Sequence, residues 1–352
     1  MMEQSVKSDY GHSSLTKHSM GRYYSFLTLL FYFIPSMMVL TVWAVYMTLA
    51  DRFHLLLQHW ELSLTMVAGS LVAGATSEGG GAVAFPIFTK VLSIPPHIAR
   101  TFALAIQMVG MGTASIVIIK YRIPVIMRAI LYASLGGVIG MTVGTLYVAP
   151  FLKPAYFKIA FTILTAAFGF VLFMENRKMA GNQSAEARDE TLEGASIGDN
   201  ALLFGAGIVG GLFGSIVGTG IDFLTFAVLV LYFNISEKVA TPTSVILMAV
   251  NSTVGFILHA FFLDGFKGAV MDYWLVCIPV VIFGAPTGAL ICARISRENI
   301  IRFLLFLIAV EFVSTLWLVK FDTYGSIFAP VLFVSLVLVF FHLNRIGRRG
   351  NR

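Results

Sequence analysis

The stretch TSEGGGAVAFP, Thr76 to Pro86, decides how this chain is read. It lies inside an apolar run, 62–92, and interrupts that run with a carboxylate, Glu78, and three glycines, Gly79, Gly80 and Gly81. As one helix the run would be ~46 Å long at ~1.5 Å per residue, against a bilayer hydrocarbon core of ~30 Å. A second run, 200–233, would reach ~51 Å. It is broken in the same manner by Gly218, Thr219 and Gly220, with Asp222 close behind. Each run is expected to form two half-helices around unwound backbone, either crossing obliquely or re-entering.

Outward from these breaks, the composition fixes the class of protein. The 352 residues are 58% hydrophobic and 12% charged, and the mean hydropathy is +0.86. A soluble globular chain carries about 25% charged residues. Apolar runs long enough to span a bilayer recur along the sequence, which marks a polytopic membrane protein rather than a large soluble helical one. The net charge of +6 is no nucleic-acid signature, because much of it sits at the ends, in Lys7, Lys17, Arg22, Arg345, Arg348, Arg349 and Arg352. Basic flanks beside spans favour cytoplasmic retention. The first apolar run, 25–50, is too long for a cleaved signal peptide and is expected to be a spanning helix or signal anchor. Cys277 and Cys292 fall in one expected helix, ~22 Å apart along it, so they cannot bridge each other.

The chain divides into a cytoplasmic tail (1–24), a first transmembrane helix and loop (25–61), repeat 1 (62–174), a polar loop (175–199), repeat 2 (200–319), and a last helix with a basic cytoplasmic tail (320–352). Repeats are expected because the halves share an order of features. Gly74 matches Gly214, Gly80 matches Gly220 and Ala99 matches Ala240, while Gly136 and Gly140 match Gly284 and Gly288. The last four read first as helix-packing glycines. The expected fold is all-α: two sequence-related repeats, each a broken Gly-rich segment plus three transmembrane helices, with one extra helix at each end. Counting Lys and Arg puts both termini in the cytoplasm. It favours re-entrant breaks by a small margin, which would make the repeats inverted.

Unwound backbone inside a bilayer is tolerated only where protein or a wet cavity satisfies it. In secondary transporters such breaks mark the substrate site, where half-helix N-termini suit an anion. Gly79, Gly80 and Gly81, with Gly218, Thr219 and Gly220, are therefore candidate main-chain ligands, with helix packing as the plainer alternative. Arg100 suits bidentate pairing with an oxyanion, although it also fits an interfacial anchor. Gln107, Thr241, Ser244 and Asn251 are candidate cavity-lining residues on the helices after the breaks. Gln107 and Asn251 are the stronger of these, since a buried amide needs a partner. His259 and Glu311 are weaker candidates.

These two breaks, the helix starts PPHIAR and SEKVATPTS, and the paired order of elements resemble the sulfite exporter TauE/SafE family, also called the toluene sulfonate uptake permease family. The resemblance spans about 65–320. It implies secondary transport of sulfite and of sulfonates such as sulfoacetate, and leaves open other small sulfur-containing anions. Family breaks usually read G-x-G-G-G in both halves, whereas here acidic groups stand at both. An ionised Glu78 would repel an anion, and burial disfavours a charged carboxyl group. Glu78 and Asp222 are thus candidate carriers of a coupling proton, the alternative being that each holds its break in shape. Other carriers, of a carboxylate or a cation, and an ion channel stay open. No protease, hydrolase or P-loop motif is present, so neither an enzyme nor an ATP-driven pump is expected. No cofactor, metal or nucleic acid is expected. The expected partners are a small anion, protons and lipid, with a homo-oligomer allowed.

Overall fold

The computed structural model describes residues 33–80, 84, 87–151, 154–180, 192, 196–318 and 323–350. The tail 1–24, the candidate ligand Gly81 and most of the polar loop lie outside the described residues. Every described element is a helix. They are α1 (Ile34–Leu49), α2 (His54–Gln58), α3 (Trp60–Ala75), α4 (Pro96–Lys120), α5 (Met127–Val143), α6 (Pro154–Ala180), α7 (Ile197–Val217), α8 (Ile221–Leu231), α9 (Glu237–Ile257), α10 (Ala269–Arg294), α11 (Arg297–Leu318) and α12 (Thr323–Gly350). Among the described residues, eight helices are long and apolar enough to cross a membrane, while α1, α3 and α8 are shorter apolar helices. The chain is an all-helical, multi-pass integral membrane protein. Its outer faces expose Val42, Leu64, Ile119, Leu131 and Phe306, apolar side chains that suit lipid rather than water.

Local sequence explains where the helices start. Pro96 opens α4 in the first turn, where its missing N–H costs nothing. Ser196 and Asp199 form a reciprocal capping box at the start of α7. Each donor of the first turn satisfied this way stabilises the helix end by about 1 kcal/mol. Glu237 opens α9 and is fully buried against Arg297 at the start of α11. Arg297 Nε donates to Glu237 Oε2 at 2.5 Å and its second nitrogen to Oε1 at 3.2 Å.

Two glycine seams organise the interior. Along α5 and α7, a Cβ at Gly136 would overlap the Phe204 carbonyl oxygen, one at Gly140 that of Ile208, and one at Gly211 that of Gly137. Along α3 and α10, a Cβ at Gly74 would overlap the Ala285 carbonyl oxygen, one at Gly284 the Ser70 hydroxyl, and one at Gly288 the Leu71 carbonyl oxygen. Backbones approach this closely in a membrane because small residues let dispersion contacts replace the missing hydrophobic drive. The seams are reciprocal: α5 packs on the helix before the second break, and α10 on the helix before the first. Aromatic side chains fill the space between α6 and α8, with Phe168 against Phe223 (ring centroids 5.2 Å apart) and against Phe226 (5.8 Å). Cys277 and Cys292 are both buried and unbridged.

The broken segments fold back on themselves. A Cβ at Gly210, midway along α7, would lie 2.5 Å from Ile221 Cα at the start of α8. At the other end, Tyr232, just past α8, donates its hydroxyl to Asp199 Oδ1 in the first turn of α7 at 3.0 Å. So α8 runs antiparallel to α7 and returns toward the level at which α7 began. The second segment is also unequal: α7 spans ~32 Å and α8 ~16 Å. The first segment behaves alike. A Cβ at Gly80 would lie 2.9 Å from the Gly69 carbonyl oxygen, and one at Gly69 would lie 3.6 Å from Ala84 Cβ. The π-helical turn Ile87–Val91 then brings Phe88 into a cluster with Leu62 and Met66 of α3.

Candidate functional site

The two breaks meet inside the protein. Gly79 takes a left-handed φ of +69°, and a Cβ there would lie 3.2 Å from Asp222 Oδ2, 3.4 Å from Thr219 Oγ1 and 3.8 Å from Met111 Cε. Gly79 of one break thus faces the polar side chains of the other. Glu78, its neighbour in the chain, is 1% exposed. The meeting point lies beside the middle of α4, since Gln107 Nε2 donates to the Gly218 carbonyl oxygen at 3.1 Å and Met111 touches Gly79.

The second break is built by local chemistry. Gly218 ends α7 in the left-handed region, at φ +91°, as a C-cap glycine does. Gly220 follows at φ +155° and opens α8. Asp222 accepts the Gly220 N–H at 2.9 Å and the Thr219 hydroxyl at 3.1 Å on both carboxylate oxygens. The carboxylate therefore sits at the helix N-terminus, the place a bound anion would take. The Gly218 N–H donates to the Gly214 carbonyl oxygen at 2.9 Å. The main-chain donors expected from Gly218 and Gly220 are accordingly occupied inside the protein in this conformation.

The other candidates separate into those at the break and those away from it. Gly80 and Gly220 face their own preceding helices: a Cβ at Gly220 would lie 2.7 Å from Phe213 Cβ and 2.8 Å from the Gly210 carbonyl oxygen. Asn251 is 1% exposed and wedged between α5 and α7. A Cβ at Gly137 would lie 3.1 Å from its Oδ1 and one at Gly214 would lie 3.0 Å from its Nδ2. Both amide atoms lack a hydrogen-bond partner. Ser244 Oγ donates to the Thr241 carbonyl oxygen at 2.7 Å, its own preceding turn, and Thr241 lies beside Cys292 of α10. Arg100 is split. Its backbone abuts the second break, a Cβ at Gly218 lying 3.6 Å from the Arg100 carbonyl oxygen, while its side chain lines a separate cavity. Glu311 is buried between α11 and α6, with Thr162 Oγ1 3.5 Å from its Oε1.

Sequence reasoning passed over two residues here. Ser77 is buried in the first break with its hydroxyl unpartnered; a serine beside an acid and three glycines gave a signal that could have been read. Met111 carried none, since a methionine in an apolar helix is indistinguishable from core.

No curated protein and no solved structure matches the chain. A protein-family model described as Sulfite exporter TauE/SafE matches residues 62–315, from the start of α3 to near the end of α11 and across both breaks. A match over that much of the chain, on a multi-pass helical fold, makes it a membrane transporter and not an enzyme: the chain belongs to the sulfite exporter TauE/SafE family.

Proposed function

We propose that this chain is a secondary active transporter of small sulfur-containing anions, sulfite or an organosulfonate, working by alternating access around the point where the two breaks meet. The observation that carries this reading is Gly79 facing Thr219 and Asp222 halfway along α4. Two buried, unwound backbone segments at mid-membrane depth are what a transport site requires. The reciprocal glycine seams support two repeats exchanging helices. The folding back of each break, followed by three crossings, supports an inverted arrangement. The substrate site then comprises Gly79, Gly80, Gly81, Gly218, Thr219 and Gly220, with Gln107 supporting the second break, Asn251 beneath it, and Arg100, Thr241 and Ser244 around it. Both termini are placed in the cytoplasm and the protein in the plasma membrane.

Asp222 holds the position an anion would occupy, so substrate must displace or neutralise it. Glu78 and Asp222 thereby serve as proton carriers: protonation on one side of the membrane frees the break for the anion. The test is uptake of radiolabelled sulfite and ethanesulfonate into proteoliposomes carrying a pH dye. Saturable uptake with proton movement is expected, and Glu78→Gln should keep anion binding while abolishing the coupled proton. Current without saturation would identify a channel instead, and uptake of a carboxylate or a cation alone would reassign the substrate.

A further inference from the structure

A second polar space lies at the N-terminal end of α4. This cavity, of about 410 Å³, has His97, Arg100, Thr101, His259 and Lys267 as its polar lining. Among the described residues no carboxylate lines it. Asp264 pairs with Lys267 at 2.5 Å, and both of these side chains are exposed. His259 is 4% exposed and its Nε2 has no partner; Arg100 Nε is likewise buried and unpartnered. Buried polar atoms left without a partner are costly unless a bound group completes them. The first turn of α4 borders the same space through His97, Ile98 and Arg100, adding the positive end of a 25-residue helix. Arg100 joins this cavity to the break, because its carbonyl oxygen abuts Gly218. Gln107, two turns deeper and about 10 Å along the helix, bonds the Gly218 carbonyl oxygen.

We propose that this cavity is a vestibule that binds a small soluble oxyanion before it enters, or after it leaves, the site between the breaks. Arg100 and His259 donate to the anion from the wall, with the exposed Lys267–Asp264 ion pair beside them. The identity of the anion rests on the transport reading above; the existence of the site does not. A cleft lined by one sign of charge concentrates counter-ions and raises their encounter rates by about 10- to 1,000-fold.

The experiment uses the full chain in phosphatidylcholine nanodiscs, with a single accessible thiol introduced by Leu263→Cys, or by Ile98→Cys as a second position. The native cysteines are buried, and the unsubstituted chain serves as the blank. Rates of modification by an anionic and a cationic methanethiosulfonate reagent are compared at fixed ionic strength. The anionic reagent is expected to be favoured by about tenfold, relative to a free thiol. Arg100→Gln and His259→Gln should each lower that preference, and ethanesulfonate should protect the thiol. Equal rates for the two reagents would overturn the vestibule, and a preference without protection would overturn its assignment to a sulfonate. Protection that arises only when phosphatidylglycerol is added would also overturn the vestibule, and would assign the cavity to a lipid phosphate. If the unsubstituted chain moves neither sulfite nor ethanesulfonate in proteoliposomes, the transport reading fails, while the reagent preference still decides the vestibule.

Discussion

At the scale of single residues, the junction depends on one backbone conformation and one carboxylate. Gly79 sits at φ +69° with Asp222 and Thr219 across from it. An L-residue in the left-handed region costs about 1–2 kcal/mol, and a methyl group there also presses on the Asp222 carboxylate. Gly79→Ala is expected to lower the melting temperature in detergent by a few degrees and to abolish most sulfite uptake; wild-type uptake would show that the two breaks need not meet so closely. Asp222 makes the opposite demand, for an acceptor. Asp222→Ala leaves the Gly220 N–H and the Thr219 hydroxyl without their partner, costing about 0.5–2 kcal/mol by analogy with a lost N-cap. Asp222→Asn retains a neutral acceptor and should recover most of that stability, but not proton coupling. Thermal unfolding together with the pH-dye assay separates the two effects.

At the scale of elements, the seams place the strictest limits on sequence. Gly140 and Gly288 each face a carbonyl oxygen of the opposite helix at a separation that excludes a Cβ. Gly140→Ala and Gly288→Ala must therefore push α5 from α7 and α10 from α3. Overpacking of this kind costs about 1–3 kcal/mol. Both variants are expected to melt earlier than wild type, whereas Gly205→Ala, which faces open space, should melt with it. Equal melting of all three would mean that the seams carry no stability. The Gly136 and Gly140 pair was legible as packing in the sequence. The reason it matters was not, because spacing names a small-residue face without naming the helix that covers it.

At the scale of the molecule, the folding back of the breaks makes a prediction about topology. Tyr232 reaches Asp199, so both ends of the α7–α8 hairpin lie at one level. Cysteines introduced by Ile197→Cys and Phe233→Cys are expected to react with an impermeant maleimide from the same side of oriented vesicles. Labelling from opposite sides would show that the segment crosses and would remove the argument for inverted repeats. Charge counting in the sequence favoured re-entry only narrowly. The hairpin, held by glycine contacts and the part-buried Tyr232–Asp199 hydrogen bond, supports the same reading.

The sequence by itself determined the class of this protein. Apolar runs of bilayer length dictate helices, because a helix satisfies its own backbone in lipid, and the Gly-rich interruptions had to fall inside the run because no single helix of ~46 Å fits a ~30 Å core. It also placed Gly79, Thr219 and Asp222 at breaks, since glycine and short polar residues are what unwound backbone needs. What it could not contain was distance. That Gly79 faces Asp222, that the Gly218 and Gly220 N–H groups are taken, and that Arg100 gathers with His259, 159 positions further along the chain, follow only when the helices pack. Contacts between far-separated residues depend on how two surfaces fit, and periodicity along one strand of sequence carries no record of the other surface.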